Sequence, residues 1–239
     1  MIKHFQNRIP KALLAGLLAG LWAVLCVVIF FTSLTPVRAD DTQKLEAFLK
    51  DKQLPEVATP EELPTIKPIR DADGLYTQKW IGESFFDLRA DLQEATKAGK
   101  RLMIIFEQKG CIYCKKFHTE ILSKKYINDY VRQNFVLIQI NLWGAREVTD
   151  FDGKVLSEKK LAARWGVVNT PTAFFMPETL KGKEGLYGRK LAVFPAFYPG
   201  PFGPLTTFDT FTWIKIKGYE SGLNFQRFHI RRLKERGLG

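Results

Sequence analysis

The sequence predicts an α/β domain, a central mixed sheet flanked by helices, preceded by an N-terminal transmembrane or signal segment. Between Ser84 and Met176, short continuous apolar runs alternate with stretches of 3.6-residue periodicity, the order that builds an α/β sheet. From Ala12 to Leu34 no residue is charged, a run long enough to cross a bilayer. The 239 residues are 46% apolar and 13% aromatic, which excludes a disordered or collagen-like chain.

The segment 1–39 reads as a signal peptide or a membrane anchor. Lys3, Arg8 and Lys11 precede the apolar run, and Val37-Arg38-Ala39 fits the −3 and −1 positions of a cleavage site before Asp40. The run exceeds an ordinary signal core, so an inner-membrane anchor fits as well. Both deliver Asp40 onward across the membrane, so a periplasmic location is expected, with the N-terminus membrane-inserted at least before processing. Cys26 lies inside the run behind Val24-Leu25, a poor lipid-attachment motif, and is read as an apolar side chain. The formal charge is +11, but four bases and no acid lie in residues 1–39, leaving 32 bases against 25 acids spread along the remainder. Without a basic stripe or a nucleic-acid-binding motif, no nucleic-acid partner is expected.

Residues 40–78 read as a helix plus a proline-rich spacer: Leu45, Phe48 and Leu49 have helical spacing, and Pro55, Pro60, Pro64 and Pro68 then interrupt regular structure. Residues 79–239 are the expected main domain. Ser84 is an N-cap candidate for a helix carrying Phe85, Phe86, Leu88, Leu92 and Ala95, closed by Gly99. Leu102 to Phe106 and Phe135 to Leu142 read as buried strands, with helical spacing between them in Cys114, Phe117, Ile121 and Leu122 and again from Tyr126 to Val131. Asp152-Gly153 signals a two-residue hairpin, and Ser157 caps a helix from Glu158 to Trp165 stopped by Gly166. Thr172 to Met176 is a third strand, and Lys190 to Phe194 is expected to pair with it as a fourth. The loop Pro195 to Pro204 is irregular and reads as a rigid connector, and two helices follow. The second carries Arg231, Arg232, Lys234 and Arg236, read as a solvated basic face.

Cys111-Ile112-Tyr113-Cys114 follows a buried strand and opens a helix. Backbone N–H groups at a helix start and the neighbouring Lys109, Lys115 and Lys116 favour a thiolate at Cys111, and Cys114 sits one turn away, able to resolve a mixed disulfide. A structural disulfide, a copper or zinc half-site of Cys111, Cys114 and His118, and coincidence are the competing readings. A four-residue loop stabilises little, and a closed zinc site wants four ligands, so redox chemistry is the reading preferred and no metal or other cofactor is expected. His118 reads as a solvated helix residue and Glu107 as an exposed strand-end carboxylate.

A strand, CxxC at a helix start, and Thr170-Pro171 before a later strand resemble the thioredoxin superfamily over Ser84 to Gly239. The run Phe106 to His118, with Leu161 to Val167 and Thr170-Pro171-Thr172, is similar to the periplasmic SoxW-type thioredoxins of sulfur-oxidation gene clusters. The resemblance implies a thioredoxin-like fold, Cys111 as nucleophile, Cys114 as resolver, and a cis Pro171 with the Thr170 main chain offered to substrate. It also implies cytochrome or sulfur-carrier proteins as disulfide substrates and a membrane electron donor of the CcdA kind. The chain departs from ordinary thioredoxins in having Ile105 where a buried acid is usual and Gly110 before the first cysteine. Proton transfer from Cys114 is therefore assigned to water or Glu107. Tyr113, His118 and Thr170 also resemble disulfide isomerases, although Asp41 to Tyr76 is too short for their dimerisation domain.

Overall fold

The computed structural model describes residues 36–56, 65–82, 84–194, 197–199 and 202–238. The apolar run Ala12 to Leu34, Cys26, Pro60 and Pro64 lie outside these residues. Among the described residues no helix is long and apolar enough to cross a membrane. The chain divides into two compact units, 1–50 and 51–239. Helix α1 (Pro36–Leu49) lies in the first and starts earlier than the spacing of Leu45, Phe48 and Leu49 predicts.

In the second unit, β1 (Ile69–Arg70) and β2 (Tyr76–Thr77) form a short antiparallel hairpin. Then come α2 (Leu88–Lys97), β3 (Arg101–Glu107), α3 (Ile112–Lys116) with a π-helical turn over Phe117–Ile121, α4 (Lys125–Asn134) and β4 (Phe135–Asn141). The hairpin β5 (Glu147–Thr149) and β6 (Val155–Ser157) leads into α5 (Glu158–Trp165) and β7 (Thr172–Phe175). Helices α6 (Pro204–Lys215) and α7 (Phe225–Glu235) close the chain.

The main sheet has the order β4-β3-β7, with β3 parallel to β4 and antiparallel to β7, so it is mixed as expected. Every residue of β3 is buried. Strand alternation sends Leu102, Ile104 and Phe106 into one core with Leu88, Leu92, Leu161 and Trp165. Met103 and Ile105 enter the other, with Phe117, Ile127, Val131, Phe208 and Phe211. Helices cover both faces, which is why β3 reads as an unbroken apolar run. Truncating one such side chain, Ile104→Ala, would cost about 2–5 kcal/mol.

Four local expectations need correction. Asp87, not Ser84, caps α2, accepting from the Arg89 N–H at 3.0 Å. Phe86 has φ +56°, a left-handed conformation that breaks any helix begun at Ser84, and leaves Phe85 fully exposed. The hairpin β5–β6 pairs Thr149 with Val155, so its loop runs through residues 150–154 rather than two residues. No fourth strand forms at Lys190 to Phe194: Gly188–Lys190 is a 3₁₀ turn, and among the described residues of this stretch the Val193 N–H and a Phe197 bridge are what reach β7. Finally, Arg232 and Arg236 are not solvated, because both side chains turn inward onto Asp209. The caps at Ser157 and Gly166 are as read, with Gly166 left-handed at φ 67°.

Candidate active site

At the C-terminal end of β3 the chain turns through Gly110, whose φ of +81° suits a residue without a Cβ. That turn makes Cys111 the N-cap of α3, with extended backbone, and sets Cys114 one turn on. The two are joined as a disulfide with Cα atoms 5.2 Å apart. The sulfurs are not equivalent. Cys114 is only 2% exposed, whereas Cys111 is half-buried and flanked by exposed Ile112 and Tyr113. The Cys114 N–H points at Cys111 Sγ from 3.0 Å, a fixed donor that stabilises negative charge there once the bond is reduced.

The Thr170–Pro171 peptide bond is cis, and Thr170 O lies 3.4 Å from Cys111 Sγ. The structure thus brings Cys111, Cys114, Thr170 and Pro171 together beyond the C-terminal end of β3 and the start of β7. Gln108, which the sequence did not single out, links them further: its Nε2 donates to Thr170 Oγ1 at 3.0 Å and its Oε1 accepts from Trp143 Nε1 at 2.6 Å.

Glu107 and His118 are where sequence reasoning erred. Neither is solvated: they are 1% and 0% exposed, and His118 Nε2 lies 3.0 Å from Glu107 Oε2. The Gln139 amide donates to the same carboxylate oxygen and to Tyr76 O. Glu107 Oε1 and His118 Nδ1 are buried without a hydrogen-bond partner. The helix face held the signal for His118, since it lies between Cys114 and Ile121 on one stripe. Glu107 continues the inward alternation of Met103 and Ile105. Glu107 also lines, with Cys111 and Cys114, an open cleft of about 300 Å³ that includes Arg70, Lys109 and Lys115. On its wall, Arg70 donates to the Tyr76 hydroxyl at 2.9 Å, and that bond draws the phenol below its ordinary pKa.

His118 is thus buried and held by Glu107. Among the described residues no group of three or more His, Cys, Asp or Glu gathers to hold a metal ion.

The model of a thioredoxin-like domain family matches residues 88–188. This thioredoxin-like region runs from the start of α2 to the 3₁₀ turn after β7 and contains both cysteines and the cis proline. Solved structures similar to the chain include a thioredoxin-fold protein from Helicobacter pylori, 18% identical with a TM-score of 0.44, covering 58% of this chain and 85% of that one. A thioredoxin from Thermus thermophilus is 19% identical with a TM-score of 0.42, over 56% of this chain and 87% of that one. A DsbH oxidoreductase is 13% identical with a TM-score of 0.37, over 70% and 96%. No curated protein matches the chain. A thioredoxin-like domain with a CxxC disulfide is consistent with thiol–disulfide oxidoreductase activity.

Proposed function

We propose that this protein is a periplasmic thiol–disulfide oxidoreductase of thioredoxin type that reduces disulfides of cytochrome or sulfur-oxidation pathway proteins. A membrane donor of the CcdA kind would return it to the dithiol state. Export through residues 1–39 and the resemblance of Phe106 to His118 to SoxW-type thioredoxins support the compartment and the partners. The reading rests above all on the unequal sulfurs: one half-buried and facing the Thr170 carbonyl, the other enclosed behind it.

In the reduced protein the Cys111 thiolate attacks one sulfur of a partner disulfide. A mixed disulfide forms, and the partner's other sulfur leaves as a thiolate. Cys114 then loses its proton and attacks Cys111 Sγ, releasing the partner's second thiolate. Two electrons pass to the partner and the Cys111–Cys114 disulfide seen here is the product. Thr170, fixed by Gln108, presents its main chain to the partner next to Pro171. Glu107, on the wall of the same cleft, takes the Cys114 proton in this reading.

The test is insulin reduction with dithiothreitol as the external dithiol. Wild type is expected to be active, Cys111→Ser to lose all activity above the dithiothreitol background, and Cys114→Ser to accumulate mixed disulfides. Equal rates for the three proteins would remove the mechanism.

A further inference from the structure

Exposed apolar side chains stand near Cys111 in the chain and on the loop that faces it. Ile112 is 70% exposed, Tyr113 49%, Val168 85% and Trp143 63%. Isolated exposed apolar side chains are ordinary, but here two lie between the cysteines, one precedes Thr170 by two residues, and the fourth is tied to Thr170 through Gln108.

Trp143 is also held still. Its indole N–H donates to Gln108 Oε1, its backbone N–H donates to Asn141 Oδ1 at 3.1 Å, and Lys159 Nζ stands 5.4 Å from its ring centroid. The next residue must be glycine: a Cβ on Gly144 would lie 1.8 Å from Glu158 Oε2, a carboxylate itself fixed by the Asn141 N–H and Arg146. A large ring kept in water by three separate contacts of its residue has already lost much of the conformational entropy that binding would otherwise cost, the property of an anchoring position in an interface.

We infer that Trp143 is a specificity platform for the protein substrate, and that Gln108 is its positioning residue. The segment it accepts carries a large apolar side chain beside the cystine, to lie on the indole, and a carboxylate to meet Lys159. Charge supports that choice: Lys109 and Lys115 line the cleft that holds the cysteines, and Lys116 follows Lys115 on α3. Gln108 holds the platform with its carbonyl and Thr170 with its amide, so one side chain sets the distance between the grip on the substrate and the attacked bond. The inference rests on the oxidoreductase reading above.

The experiment uses two cystine peptides identical except beside the disulfide, one carrying Phe and Glu, the other Ser and Lys. The full chain, kept reduced by dithiothreitol, is expected to favour the first about tenfold in kcat/KM, equivalent to about 1.4 kcal/mol. Trp143→Ala is expected to bring the ratio close to one, and Trp143→Phe, which keeps a ring but loses the bond to Gln108, to retain part of it. Because each protein is its own control, a general loss of folding does not alter the ratio. Equal rates on both peptides for wild type, or an unchanged ratio in Trp143→Ala, overturns the platform while leaving the redox reading intact. Failure of wild type to reduce either peptide or insulin overturns both.

Discussion

Two of the buried carboxylates of the main unit, Asp209 and Glu107, are held under different terms. Asp209 on α6 is 0% exposed and sits among basic side chains: Arg236 holds it through two nitrogens at 2.6 and 2.8 Å, His229 Nδ1 lies at 2.7 Å, and Arg232 Nε at 3.7 Å. Glu107, equally buried at the end of β3, has one imidazole and one amide, and its second oxygen has no partner. The first arrangement pins α7 to α6 and surrounds the carboxylate with guanidinium groups. The second leaves a carboxylate with one unpartnered oxygen, on the wall of the cleft that holds the redox sulfurs. Completeness of partnering is what sets the two apart.

The comparison breaks most readily at Asp209. Asp209→Ala leaves buried guanidinium groups without their counter-charge and is expected to destabilise the fold by about 3–5 kcal/mol in urea unfolding. A loss under about 1 kcal/mol would mean the cluster is solvated in practice and the contrast is wrong.

Glu107→Gln sharpens it. Removing the acceptor is expected to slow insulin reduction about tenfold at neutral pH, less than the roughly hundredfold or more typical of general acid–base catalysis because water still accepts the proton. The deficit should narrow towards pH 9, where a thiol of ordinary pKa, about 8.5, ionises without help. A deficit constant with pH would assign Glu107 a packing role only.

The smallest effect is expected at a third carboxylate, Asp91, which has still less compensation. It accepts from the Ser84 hydroxyl at 2.7 and 2.8 Å, and burial pushes its pKa up to about 6. Between an unfolded value of about 3.9 and that folded value, the native state holds the extra proton. Its contribution to stability is therefore largest below pH 4 and is lost as pH rises through about 6. Asp91→Asn should accordingly gain about 1 kcal/mol at pH 8 and nothing at pH 4, read as a pH-dependent shift in thermal midpoint. Asp152 has the opposite sign: Arg164 draws it down to about 2, so its contribution is present near neutrality and fades in acid.

Much of the fold was legible because its signals are local. The all-buried β3 reads as an apolar run, Ser157 and Gly166 bracket α5, and Cys111-Ile112-Tyr113-Cys114 marks the strand-to-helix turn. What failed depended on neighbours distant in sequence. The positive φ at Phe86 carries no sequence mark of the kind a glycine gives, so Ser84 was taken for a cap that Asp87 supplies. Arg232 and Arg236 look like surface charges until α7 meets Asp209 on α6.

From the chain alone came the alternation of strand and helix, the redox pair and the proline-bearing loop that faces it, because periodicity, glycine, proline and cysteine spacing act over a few residues. Only the folded structure decided that Glu107 and His118 lie buried as a pair and that Gln108 joins Trp143 to Thr170. Burial of a polar group is set by what packs over it from elsewhere in the chain, and hydrogen bonds spanning dozens of residues leave no periodic trace in the sequence.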